Sequence, residues 1–160
     1  MKKIILSVAV LAILFTGWKK KDDPAPTKTN AEYLTAHTWK FSGAVSNVAI
    51  DADDDATTPD SKDLWNQYYS DCYKDDLYTF SSNNTGTITD AGIVCNPTTS
   101  ISFAWTLNGN SLLVTSGTGA NANIGNFTIV SINDNTLKLN NPEYQDPNGV
   151  NYIETDTYIK

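Results

Sequence analysis

The feature that most limits what this chain can fold into is a series of short strand-like segments, several with apolar residues at every second position, separated by residues suited to tight turns. Such segments lie at 39–45, 77–81, 85–89, 101–107, 111–115, 126–132, 136–139 and 151–159. A period of two marks strands with one buried face. The breaks between them include Ser82-Asn83-Asn84, Asn108-Gly109-Asn110 and Asn133-Asp134-Asn135, residues that tolerate the positive φ of tight hairpins. Short-looped consecutive strands form an antiparallel meander, and about eight of them leave two unpaired edges unless the sheet closes on itself. The expected fold is therefore all-β, an antiparallel barrel of about eight strands. Ile101, Phe103, Trp105 and Leu107 share one face, as do Tyr78 with Phe80 and Leu137 with Leu139, and these faces are expected to point inward.

Upstream of the strands the chain is built differently. Lys2 and Lys3 precede an apolar run from Ile4 to Phe15 that ends at Thr16-Gly17, the pattern of a secretory signal peptide. The run is too short to span a membrane, which takes about 20 apolar residues. Leu14-Phe15-Thr16-Gly17, followed by Lys19-Lys20-Lys21-Asp22-Asp23, resembles the lipobox and tether of a bacterial lipoprotein, but Trp18 stands where that motif has its cysteine. An indole cannot form the thioether that carries the lipid. The expectation is an exported protein, periplasmic or at the cell surface, that meets membrane only through its N-terminal segment. Residues 1–17 read as signal peptide, 18–30 as a flexible polar tether without apolar periodicity, and 31–160 as one barrel domain. Within that domain, Glu32-Tyr33-Leu34 reads as a short helical turn capped by Asn30.

One stretch departs from the meander. Between the first two strands, Asp51 to Asp76 forms a long excursion in which Leu64, Trp65, Tyr68, Tyr69 and Cys72 recur at helical spacing, predicting a helical lid. The two cysteines, Cys72 and Cys95, in an oxidising compartment, are expected to pair and clip the excursion to the barrel wall. The closed loop is worth about 3.5 kcal/mol in the chain-entropy model.

Charge narrows the function classes. The chain has 11 lysines, no arginine and 18 acidic residues, a net charge of -7. Beyond Asn30 only Lys40, Lys62, Lys74, Lys138 and Lys160 oppose 16 acids, leaving -11. No basic stripe exists to displace counterions, which argues against nucleic acid as a partner. The segment Asp51-Ala52-Asp53-Asp54-Asp55 suggests calcium, yet as an EF-hand loop it has Ala56 where glycine is needed and Lys62 where the bidentate glutamate belongs. It reads as a solvated acidic loop. The sole histidine, His37, has no accompanying nucleophile motif, and Asp75-Asp76, as neighbours at a strand entry, are expected to point to opposite faces. No catalytic residue, metal site or cofactor is expected.

The order Lys74-Asp75-Asp76-Leu77-Tyr78-Thr79-Phe80, Asn84-Thr85-Gly86-Thr87 and Phe103-Ala104-Trp105-Thr106-Leu107-Asn108-Gly109, with Trp39 upstream and a cysteine on either side, resembles the small lipocalin-like domain of Gram-negative cell-envelope lipoproteins. The resemblance runs from about Leu34 to Lys160. It implies that Trp39 plugs the closed end of the barrel and that Cys72 pairs with Cys95. Lipocalins carry glycine two residues before that tryptophan; here it is His37, so a different barrel floor is expected.

Two functions follow. The first is a monomeric envelope protein holding a small apolar or amphipathic ligand, lined by Trp39, Phe41, Tyr78, Phe80, Phe103, Trp105 and Phe127, with Trp65 and Tyr69 near the mouth. The second is a non-catalytic structural or interaction accessory with a filled barrel. Cavity volume separates them, since ligand sites enclose a few hundred Å³ or more.

Overall fold

The computed structural model describes residues 27–51, 61–95, 100–117 and 123–160. The leader, most of the segment read as a tether, and Ala52 to Asp55 lie outside these residues. Nine strands form one antiparallel sheet: β1 (Thr38–Ile50), β2 (Ser61–Asp63), β3 (Leu77–Phe80), β4 (Thr85–Thr89), β5 (Ser100–Asn108), β6 (Ser111–Ser116), β7 (Asn123–Ile132), β8 (Thr136–Gln145) and β9 (Asn151–Ile159). Each strand from β3 to β8 pairs with the next, and β1 pairs with both β3 and β9. The sheet thereby closes into an eight-stranded barrel. The ninth strand, β2, is an addition that pairs only with the far half of β1.

The inward face follows the sequence alternation except at the start of β5, where Ile101, expected inward with Phe103, Trp105 and Leu107, is 42% exposed. Trp39 and Phe41 on β1, Phe80 on β3, Phe103 and Trp105 on β5, Leu112 on β6, Ile129 on β7, Leu137 and Leu139 on β8 and Tyr158 on β9 are all buried. Two aromatic rings need glycine beside them. A Cβ at Gly86 would collide with the ring of Phe103, its register partner on β5, and one at Gly125 with the ring of Phe127. The turns behave as their residues require: Asn84 and Gly109 adopt φ of 64° and 60°, and the Asn133 side chain accepts the amides of Asn135 and Thr136.

One end is closed by α1 (Asn30–Ala36). Its cap is Thr29 and not Asn30, because Thr29 and Glu32 form a reciprocal capping box. Lys28 pairs with Asp134, and Asn30 donates to Asn110 Oδ1 at 3.0 Å, so the helix is tied to two of the hairpin turns. Leu34 is fully buried and its carbonyl accepts the Trp39 indole N–H at 3.0 Å. His37 meets the Trp39 ring edge-on at 5.7 Å and fills the position where lipocalins keep glycine.

The excursion is less helical than its spacing predicts. Among its described residues only α2 (Leu64–Gln67) forms, N-capped by Asp63. Beyond it turns take over, with Tyr73 N–H donating to Ser70 and Lys74 N–H to Asp71, as expected where Ser and Asp side chains compete with helix. Cys72 and Cys95 are disulfide-bonded, with Cα atoms 5.3 Å apart.

Candidate functional site

The open end, opposite α1, carries the polar groups of the barrel. β9 places Tyr152, Glu154, Asp156 and Tyr158 on one face, and Glu154 and Asp156 are 6% and 5% exposed. A buried carboxylate needs partners, and β8 supplies one by breaking its own register. The shift between Asn140 and Glu143 falls at Asn141-Pro142, where proline has no amide to give the ladder, and the bulge re-aims Asn141 so that its Nδ2 donates to Asp156 Oδ2 at 2.9 Å. Tyr158 OH donates to the same oxygen at 3.3 Å, while Oδ1 is buried without a hydrogen-bond partner. Burial first, and the neighbouring Glu154 second, push the Asp156 carboxyl up to about 7. Tyr69 OH donates to Glu154 Oε1 at 2.7 Å. Burial and that hydrogen bond raise its phenol well above the ordinary range.

Above these carboxyls lies a recess of about 440 Å³, lined by Tyr68, Tyr69, Tyr144 and Tyr152 together with Glu154, Asn141 and Gln145. Tyr68 and Tyr144 are 62% and 41% exposed, so two ring faces are open to an incoming molecule. Deeper in the barrel is an apolar-walled cavity of about 90 Å³ lined by Tyr78, Phe80, Phe103, Phe127, Leu139 and Tyr158 among others. That is smaller than the roughly 150 Å³ apolar void known to admit benzene. An acyl chain does not fit.

The residues expected to line a ligand site separate into groups. Tyr78, Phe80, Phe103 and Phe127 wall the inner cavity. Trp39 seals the closed end, and Trp105 is anchored by two hydrogen bonds from its indole, to the Ser81 and Thr85 carbonyls at 3.2 and 3.0 Å. Phe41 lies under the excursion, its ring 4.9 Å from those of both Trp65 and Tyr69 in edge contacts. Of the nine, only Tyr69 lines the recess at the mouth. Glu154, Asp156, Asn141, Tyr144 and Tyr152 escaped the sequence reading, and Tyr68 entered it only as part of the predicted helical lid. For Glu154 and Asp156 the signal was present: they share parity with Tyr158 on an evident strand.

Asp75 and Asp76 also depart from expectation. They precede β3 in a turn, so strand alternation does not separate them, and their carboxylates converge with that of Asp90 to within 4.8 Å.

A closed antiparallel barrel of eight strands with one plugged end, one open end and an aromatic interior defines the class of small-ligand-binding β-barrels. Residues 28–139 match the family model of the lipocalin-like domain, and the chain belongs to that family. The match stops inside β8, so the closing strand β9, with its buried acids, lies beyond it. No curated protein matches the sequence. Members of the family are typically non-catalytic binding proteins.

Proposed function

We propose that this is an exported cell-envelope binding protein whose ligand, a small amphipathic molecule, seats in the recess at the open end of the barrel. The observation that carries the reading is the volume contrast: about 440 Å³ at the mouth against about 90 Å³ inside. The exposed faces of Tyr68 and Tyr144 take the apolar body of the ligand by area burial. Glu154, Asn141 and Gln145 offer acceptors for a head group that donates hydrogen bonds, an amine or a polyol. A carboxylate head would face Glu154 and the charge of -7 on the chain, so fatty acids are disfavoured on charge as well as on size.

The test is a titration of the protein with decylammonium, decyl maltoside and decanoate below their micellar concentrations, followed by intrinsic fluorescence and calorimetry. The expected result is saturable binding of the cationic or the polyol amphiphile, little or none of decanoate, and affinity lowered about tenfold by Tyr144→Ala. Equal binding of all three would overturn the head-group reading. Binding of none would favour the other function, a structural accessory with a filled barrel, to which the small inner cavity is the observation that points.

A further inference from the structure

A second polar site lies at the same rim, away from the tyrosine recess. The turn before β3 presents Asp75 and Asp76, and the loop after β4 presents Asp90, with carboxylate oxygens from all three within 4.8 Å of one another. The backbone fixes two of the three. Ile93 N–H donates to Asp75 Oδ2 at 2.8 Å and Cys95 N–H to Asp90 Oδ2 at 2.9 Å. Gly92 makes the first contact possible, since its φ is +78° and a Cβ there would stand 2.5 Å from Asp75 Oδ2. The Cys72–Cys95 disulfide ties together the two segments that carry the acids.

Among the described residues no lysine pairs with Asp75 or Asp76. Asp76 is 8% exposed, among the described residues no hydrogen bond or ion pair reaches its side chain, and Asp75 Oδ1 is buried without a hydrogen-bond partner. Lys74, the adjacent lysine, turns away to Asp71 at 3.2 Å and lies over the Trp65 ring. A buried carboxylate with two others converging on it calls for a cation to offset the charge. Asp76 and Asp90 both face a recess of about 190 Å³, room for the waters that complete a coordination shell.

We propose that Asp75, Asp76 and Asp90 form a site for a hard divalent cation of the calcium class. Three carboxylates supply up to six oxygens in an all-oxygen donor set, which suits calcium and not the softer metals bound through thiolate and imidazole. The cation joins the excursion to the strand wall at the point where the disulfide already clips it. The acidic stretch from Asp51 to Asp55 is a separate part of the sequence and serves as the internal control.

The test uses the full mature chain stripped with EDTA. Terbium luminescence sensitised by Tyr73 and Tyr78, which line the same recess, should appear and be displaced by calcium, with affinity in the range of about 10⁻⁴–10⁻³ M typical of extracellular calcium modules. Calcium should raise Tm. Asp76→Asn should fold, since it removes a buried charge, and should lose at least about tenfold in affinity and most of the Tm response; Asp53→Asn should retain both. In the unaltered chain, calcium should shift the amide resonances of Ile93 and Cys95. A Tm insensitive to about 10 mM calcium, an equal response in Asp76→Asn, or amide shifts confined to residues 51–55 would overturn the proposal.

Discussion

Asp156→Asn should stabilise this protein at alkaline pH and do little at acid pH. The Asp156 carboxyl is raised from 3.8 to about 7 by burial and by Glu154, so between those values the native state holds a proton that the unfolded state has released. Stability then falls as pH rises through this window and the loss is complete above the folded value. At about 1.36 kcal/mol per pH unit, the displacement amounts to about 4 kcal/mol. Against a typical total of roughly 5–15 kcal/mol, that is a large fraction for one side chain.

The asparagine reproduces the protonated acid. Its Oδ1 can accept from Asn141 and Tyr158 as Asp156 Oδ2 does, and its Nδ2 can point where Asp156 Oδ1 now lacks a partner. Urea unfolding of both proteins at pH 4.5 and pH 8 gives the assay. The difference between variant and parent is the quantity to read, because Asp76, raised to about 6, titrates in both and cancels. The variant should be more stable by about 3–4 kcal/mol at pH 8 and within about 1 kcal/mol of the parent at pH 4.5. An equal difference at the two pH values, or a variant weaker at pH 8, would refute the argument.

Four further outcomes are expected. Reducing Cys72–Cys95 should lower stability by about 2–4 kcal/mol in denaturant titration, and a thiol assay on unfolded, unreduced protein should detect no free cysteine. Gly86→Ala should destabilise by about 1–3 kcal/mol, because the Phe103 ring and the Thr79 carbonyl occupy the space of the new methyl; a neutral thermal melt would show the wall to be softer than that. Thr29→Ala should cost about 1 kcal/mol through loss of the capping box, visible as a small Tm decrease. Trp105→Ala should cost about 3–5 kcal/mol, as a buried anchor with two indole hydrogen bonds, whereas a residue that merely lined an open wall would cost little.

How much of this was legible in the sequence depended on range. Strands 85–89 and 151–159 could be bounded to the residue, because alternation and turn chemistry are local. β8 was cut short at Leu139 because Asn140-Asn141-Pro142 reads as a break; the partner strand carries the ladder past it through a bulge. β2 had no apolar signal, since Ser61-Lys62-Asp63 forms only by pairing with β1. The recess drew on the same gap. Its members come from the end of β1, the excursion, β8 and β9, and only ring closure, which pairs β1 with β9, brings the excursion beside the β8–β9 hairpin. Parity can put Glu154 and Asp156 on the inner face, but nothing local says that Asn141 will reach across a bulge to meet them.

The two ends of the barrel answer different demands. At the α1 end every device favours stability: a capping box, a fully buried Leu34 and Trp39, and an indole bonded to a helix carbonyl. At the open end the chain buries Glu154, Asp156 and Asp76 at 5–8% exposure, and among the described residues no lysine pairs with any of them, though apolar residues there would fold more stably. Local rules broken together in one region mark a place shaped by something other than folding. The disulfide lies at that end and not at the capped one, where it holds the rim in place against the repulsion its acids create. Hydrogen exchange should follow this division: amides of Trp39 and Leu137 should exchange near the global unfolding limit, and those of Tyr68 and Ile93 orders of magnitude faster. Protection as high at the rim as at the base would mean that the buried acids cost the fold nothing there.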